Sequence, residues 1–245
     1  GAAAEPLKRF GVCERTTASA TAARLYVKVD EAFASDLHHL VISYDRTICP
    51  GYGWIFPGPD HIFNVGIGYF YDGKRPLPDR NVRTLLDRFL THFPPARTLM
   101  QHGQPLTPLK GAPLRTRLNG AQLARPGLMV IGEAAGTTYS FTGEGIGKAM
   151  ASGLLAAEVI AAARSLEPVD LPQHYAREMR ARFAQRFAAY GQAQDWLSSP
   201  TVANLLTWRA SRGGFVYRQL EGLFQERTNP AELFSLSGIV RAFVS

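Results

Sequence analysis

From Ala22 to Tyr71 apolar and polar residues alternate with a period of two. In AARLYVKVD, Leu25, Val27 and Val29 alternate with Arg24, Tyr26 and Lys28, and LHHLVISYD, YGWIF and HIFNVGIGYF follow with turn residues between them. Successive side chains of a strand point to opposite faces, so this pattern predicts an antiparallel run of strands. The Gly-Pro-Asp cluster at 58–60 predicts a hairpin turn between the last two. At Asp79 the period changes to three and four through Val82, Leu85, Leu86, Phe89 and Leu90. This predicts an amphipathic helix with Asp79 as N-cap, stopped near Phe93 by Pro94 and Pro95.

A Pro-rich passage, QPLTPLKGAPLR, then leads to a short apolar strand at 128–132, a Gly-rich loop and the helix IGKAMASGLLAAEVIAAARS. The remainder reads as helical. Tyr175, Met179, Phe183 and Phe187 recur every four residues, Val202, Leu205, Leu206 and Arg209 continue a weaker pattern, and Asn229-Pro230-Ala231-Glu232 opens a final helix toward Phe243. The fold class expected is α+β: a β-sheet domain over 1–118, a strand-loop-helix over 119–165 and a helical region over 166–245.

Composition narrows the setting. With 245 residues, 46% hydrophobic and 19% charged, the chain is long and apolar enough for a sizeable core. Cys13 and Cys49 lack CxxC spacing, and the six histidines are scattered without ligand spacing. Neither a disulfide framework nor a metal site is expected, and a reducing cytoplasm is the natural location. The longest apolar run, at 153–163, carries Glu158 and falls short of the ~20 residues that a membrane span needs. The N-terminal GAAAEPLKRFGV has no signal-peptide pattern and no initiator Met, and it reads as the continuation of something longer. The net charge is +7, and Arg177, Arg180, Arg182 and Arg186 share one predicted helix. Two readings fit them: a solvated helix face, or a basic side peripheral to a phospholipid membrane. RNP-type stacking motifs are absent, so nucleic acid is not expected.

Two stretches carry candidate chemistry. In CPGYGWIFP, Tyr52, Trp54 and Phe56 fall on one face of an extended strand and form an aromatic wall, which is either core or the wall of a site for a greasy ligand. In LMVIGEAAGTTYSFTGEGIGKAMASG, a strand delivers the chain to Gly132 and Glu133, small residues permit close approach, and GEGIG opens a helix. Helix N-termini favour negative charge because their first N–H groups are unpaired. A Walker A loop fails at Thr142 and Ala149, and a GxGxxG fingerprint fails at Lys148. Taken alone, GEGIG reads equally as a tight packing turn.

Residues 128–153 resemble the second flavin-contacting motif, GDAAG followed by a Pro-rich or GEG turn, of FAD-dependent oxidoreductases of the p-hydroxybenzoate hydroxylase type. The geranylgeranyl reductase branch is the most similar. Its YxWxFP motif, followed by GxG, is matched by Tyr52, Trp54, Phe56, Pro57, Gly66 and Gly68, and by Asn64-Val65. The likeness spans about residues 1–165. It implies FAD as cofactor, with Glu133 in the place of the acidic residue that hydrogen-bonds the ribityl chain. It further implies that Gly132, Ala134, Ala135 and Gly136 form a close-approach loop, and that Gly143, Glu144, Gly145, Ile146 and Gly147 lie beside the pyrimidine side of the flavin ring. Tyr52, Trp54, Phe56, Pro57, Gly66 and Gly68 would then hold a polyprenyl chain across the flavin.

The activity implied is reduction of isolated double bonds in a geranylgeranyl or other polyprenyl group, with NAD(P)H or a ferredoxin as electron donor. The family's N-terminal Rossmann unit has no counterpart in this sequence, whose first residues, with Gly1-Ala2 and Leu7-Lys8-Arg9, resemble the stretch that follows that unit. No side chain is singled out as a general acid; Tyr52 and His61 are near the site in sequence only. The alternatives are a flavin-dependent monooxygenase or halogenase, since GWIFP also resembles the WxWxIP pattern of flavin halogenases, and a non-catalytic prenyl-lipid-binding fragment.

Overall fold

A computed structural model describes the chain except residues 14–17, 35–36, 45–46, 71–80, 119–121, 141, 163–169, 213, 234, 236, 239 and 242–245. The chain forms two units: residues 1–18, 114–197 and 201–245 make one, and 19–113 with 198–200 the other. The sequence reading placed its divisions instead at 118 and 165.

Helix α1 (Glu5–Arg9) opens the first unit, and the chain then builds the second. There, β1 (Ala20–Lys28), α2 (Glu31–Ala34), β2 (Val41–Ser43), β3 (Gly51–Pro57) and β4 (Ile62–Phe70) are followed by α3 (Val82–His92), α4 (Pro94–His102), β5 (Gln104–Pro105) and β6 (Lys110–Leu114). The antiparallel sheet runs β2-β3-β4-β1-β5, with β6 also pairing to β1. Gly58 N–H donates to the Ile62 carbonyl at 2.8 Å and closes the expected hairpin around Pro59–His61.

The period of two separates the faces of this sheet. Ala23, Leu25, Val27, Ile55, Phe63, Val65 and Ile67 are buried with Leu85, Leu86 and Phe89 of α3 and Leu99 of α4 in one core. Burying each large aliphatic side chain contributes roughly 1.5–3 kcal/mol. Helix α3 is capped by Asn81, whose side chain accepts from Arg83 N–H at 2.9 Å, rather than by Asp79, which lies outside the described residues. Pro94 and Pro95 stop α3 as expected. They also open α4, a helix the pattern did not predict, because proline at the first helical positions sacrifices an N–H that would be unpaired anyway.

The first unit continues with β7 (Ala124–Arg125) and β8 (Leu128–Met129), which pair antiparallel. The strand expected over 128–132 is thus shorter, because Gly132 turns into the left-handed region (φ 63°) and starts a 3-10 turn over Gly132–Ala135. Helices α5 (Ile146–Ala162), α6 (Leu171–Met179), α7 (Gln185–Leu197), α8 (Pro200–Ala210), α9 (Gly214–Phe224) and α10 (Pro230–Leu233) follow. Asn229 caps α10 by accepting from Ala231 N–H at 3.1 Å; Phe243 lies outside the described residues.

Between α6 and α7 the backbone makes a π-helical turn at Arg180–Ala184. A strict four-residue repeat drifts about 40° per step on an α-helix. The wider turn takes up much of that drift, so Tyr175, Met179 and Phe187 all remain buried.

Candidate functional site

Strand β3 carries the aromatic wall in the sheet unit. Tyr52, Trp54 and Phe56 lie on the face opposite α3, with ring centroids 6.0 Å apart in each successive pair. Their neighbours across β4 are Gly68, Gly66 and Asn64. The glycine at 66 is obligatory: a Cβ there would sit 2.4 Å from Trp54 Cζ2 and 2.5 Å from the Ala23 carbonyl oxygen. Asn64 Oδ1 accepts from the Trp54 indole N–H at 3.1 Å and fixes the ring's orientation. Phe70 and Tyr44 extend the wall, their centroids 5.9 and 5.5 Å from Tyr52. Tyr52 is buried and its phenol pKa is pushed up by that burial, so it stays neutral. Trp54, Phe56 and Pro57 are half-buried. Next along this face lie Arg24 and Tyr26, with the guanidinium 4.6 Å from the Tyr26 ring centre. The face is thus a row of rings over a glycine floor with one cation beside it. His61 is exposed on the β3–β4 turn.

In the other unit, β8, the turn and α5 form one continuous element. Gly132 N–H donates to the buried Ser152 Oγ at 2.9 Å, and Ser152 Oγ donates to the Ala149 carbonyl at 2.8 Å, so helix α5 holds the start of the turn. Gly136 ends the turn at φ 84°. Thr138 then bridges to Thr116. Glu133 is half-buried, and among the described residues its Oε1 accepts long bonds, from Arg115 N–H at 3.4 Å and Thr138 Oγ1 at 3.5 Å. A carboxylate can accept about four hydrogen bonds, so Glu133 retains acceptor capacity for hydroxyl groups. Ala134 and Ala135 keep side-chain bulk away from the turn. Gly145 packs on Thr138 so closely that a Cβ would come within 2.6 Å of Oγ1.

At the start of α5, Glu144 Oε1 accepts from Gly147 N–H at 2.7 Å, so the helix N-terminus is capped by a carboxylate from its own chain. Glu144 Oε2 is buried with no hydrogen-bond donor aimed at it. Burial raises the Glu144 pKa, the Gly147 N–H opposes that, and the neighbouring Glu226 carboxylate raises it further while Lys148 lowers it. Lys148 Nζ pairs with Glu226 Oε2 at 2.6 Å and lies 5.3 Å from the Tyr139 ring centre. Arg186 on α7 donates to the Glu226 carbonyl. Tyr139 stacks on Tyr190 at 3.9 Å. This cluster ties the GEGIG turn to α7 and to the end of α9.

The sequence reading missed several of these partners. Arg115 is buried, its Nε donating to the Ala2 carbonyl at 2.6 Å; a lone arginine in a Pro-rich passage gives no periodic signal. Ser152 looked like one more small residue in a small-residue helix. Glu226 lies 78 positions from Lys148, a pairing no local pattern reveals. Of the arginines expected to form a basic face, Arg186 turns inward, and Arg182 pairs with Glu158 at 2.9 Å and Glu178 at 3.5 Å. Arg177 and Arg180 are exposed.

Among the described residues, buried Thr137 Oγ1 and Ser140 Oγ have no hydrogen-bond partner. Orphaned polar atoms on a glycine-rich turn, beside a carboxylate with spare acceptor capacity, suit a hydroxylated, heteroatom-rich ligand such as a flavin.

No family model matches the chain. Among curated proteins, digeranylgeranylglycerophospholipid reductase 1 of Methanococcoides burtonii is 32% identical over 140 residues, covering 56% of this chain and 32% of the relative. The menaquinone reductase of Mycolicibacterium smegmatis is 33% identical over 141 residues, covering 55% and 33%. The match to these two curated relatives thus extends over about a third of their length. Among solved structures, a geranylgeranyl bacteriochlorophyll reductase-like protein from Thermoplasma acidophilum superposes over 100% of this chain and 57% of its own, with TM-score 0.68 and 21% identity. A flavin-dependent brominase shares the fold over 94% of this chain and 58% of its own, with TM-score 0.61 and 17% identity. No described helix is long and apolar enough to cross a membrane. Over the part of those proteins that it spans, the chain is similar in sequence to digeranylgeranylglycerophospholipid reductases and shares the fold of a geranylgeranyl bacteriochlorophyll reductase-like protein.

Proposed function

We propose that this chain is part of a flavin-dependent reductase of isolated double bonds in a polyprenyl lipid. The observation that carries the reading is the conjunction of two motifs in one chain: the aromatic face of β3 over Gly66 and Gly68, and the strand-turn-helix at Gly132–Gly147. Three rings on a glycine floor offer broad apolar contact and few hydrogen bonds, which suits a hydrocarbon chain better than a sugar or nucleotide. FAD is the proposed cofactor and would supply the hydride chemistry.

The roles of this chain's residues are those that the resemblance to the flavin-dependent reductases implies. Glu133 accepts hydroxyl groups of the ribityl chain. Gly132, Ala134, Ala135 and Gly136 permit close approach, and Gly143–Gly147 line the ring. Glu144 takes up the Gly147 N–H at the helix start and so fixes the GEGIG turn beside the ring. Tyr52, Trp54, Phe56 and Pro57 hold the hydrocarbon and exclude water.

The test is anaerobic incubation of the protein with FAD, dithionite and a geranylgeranyl phospholipid, followed by product mass. A gain of two hydrogens per reduced bond is expected; unchanged mass across several prenyl lipids overturns the reading. The flavin-dependent brominase among the structural neighbours favours a second reading, oxygen-dependent substrate modification. Product carrying oxygen or halogen, formed only with NAD(P)H and air, selects that alternative.

A further inference from the structure

Between Asp195 and Glu221 the chain has no acidic residue, yet it carries Arg209, Arg212 and Arg218 together with Leu205, Leu206, Trp208, Phe215 and Tyr217. The structure folds this stretch into the eleven-residue α8 and the start of α9. Leu205 and Trp208, spaced by three, share one side of α8, Arg212 follows just past the helix end, and all three are exposed. Trp208 is 49% exposed and Leu205 39%, large apolar surfaces for a helix that faces solvent. The Arg212 guanidinium lies 3.8 Å from the Trp208 ring centre and that of Arg209 5.9 Å, so positive charge is gathered around the indole. Tyr217, 53% exposed, and the exposed Arg218 add another aromatic and another basic side chain nine to ten residues on.

Among the described residues, no ion pair neutralises Arg212 or Arg218, in contrast to Arg182, which meets two carboxylates. The basic residues that the α6–α7 region displays are thus partly spent within the protein, whereas Arg212 and Arg218 meet no carboxylate among the described residues.

We infer that α8 and the start of α9 dock this protein on the surface of an anionic phospholipid bilayer. Trp and Tyr sit favourably at the bilayer interface because each joins an apolar body to a polar tip. Arginine adds electrostatic attraction to anionic headgroups, and an apolar residue such as Leu205 reaches below them. The absence of acid from the stretch is the complementarity that selects an anionic bilayer over a neutral one. A helix of this kind lies in the plane of the interface without spanning it, in keeping with the length of α8.

The experiment is co-sedimentation of the full chain with vesicles of phosphatidylcholine alone or mixed with phosphatidylglycerol, at low and high salt. Wild type is expected to bind the mixed vesicles, to release at high salt, and to bind pure phosphatidylcholine weakly. The triple variant R209Q/R212Q/R218Q should lower partitioning roughly a hundredfold, about fivefold for each charge. R177Q/R180Q, outside the stretch assigned to the contact, should leave it within about twofold.

A second readout does not depend on the stability of a variant. Vesicles with brominated acyl chains should quench tryptophan fluorescence in wild type and fail to do so in W208F. Equal binding to neutral vesicles, unchanged binding of the triple variant, loss of binding in R177Q/R180Q, or quenching that survives in W208F would each overturn the assignment. Binding of an acidic protein or nucleic acid in place of anionic vesicles would overturn it too. Vesicle binding requires no flavin, so its failure leaves the reductase reading standing.

Discussion

Gly66 lies directly beneath the indole of Trp54, so near that a methyl group at 66 would come within 2.4 Å of the ring. The Ala23 carbonyl closes the same space from the neighbouring strand at 2.5 Å. Because one of these neighbours is backbone, the clash cannot be relieved by a rotamer change alone. G66A is therefore expected to destabilise the protein by about 1–3 kcal/mol, as overpacked sites do. At Gly68 an added Cβ would make ordinary contacts, 3.7 Å to Phe70 and 3.8 Å to Trp54, so G68A should stay within about 0.5 kcal/mol of wild type. Urea unfolding of the two variants decides this; equal losses would mean that the indole does not rest on the glycine.

Lys148 and Glu226 form a pair that is only partly open to water, with side chains 18% and 27% exposed. Removing one partner leaves the other desolvated and unmatched, so K148M is expected to cost about 1–2 kcal/mol, between surface and fully buried pairs. A double-mutant cycle of K148M with E226Q should give a coupling of about 1 kcal/mol. A coupling near zero would show that the ammonium finds water as good a partner.

Glu144 gives the protein a pH dependence of definite sign. Its pKa in the folded protein is raised above the ordinary 4.5, mainly by burial, with the Glu226 carboxylate adding to that and Gly147 N–H and Lys148 opposing it. The folded state then holds a proton that the unfolded chain releases. The linked stability is complete below the unfolded pKa and is lost as pH rises through the folded one. Wild type should thus lose stability as pH rises above 4.5 relative to E144Q, which can still accept from Gly147 N–H. Parallel stability profiles for the two proteins would contradict this.

How much was legible in the sequence depended on the range of the interaction that decides each feature. The alternation of Leu25 and Val27 with Arg24 and Tyr26 is local, and it revealed both the strands and the aromatic face of β3. Helix α4 was hidden because Pro94 and Pro95 read as a stop, although the same residues suit a helix start. Asp79 and Asn81 are both competent caps, and only the backbone chooses between them. The partners of the GEGIG turn were illegible for a different reason. Glu226, Arg186 and Tyr190 reach it from distant helices, and charge compensation across such separations leaves no periodic trace.

The central claim, that the turn at Gly132–Gly147 holds a flavin through Glu133, is tested most directly by titrating the full chain with FAD. The readout is the change in the flavin's visible absorption and fluorescence, in wild type, E133A and W54A. E133A should weaken binding about tenfold to a hundredfold, the worth of hydrogen bonds to a charged acceptor, while W54A leaves flavin affinity within about twofold. Equal affinity of wild type and E133A, or no spectral change with wild type at saturating FAD, would contradict the account.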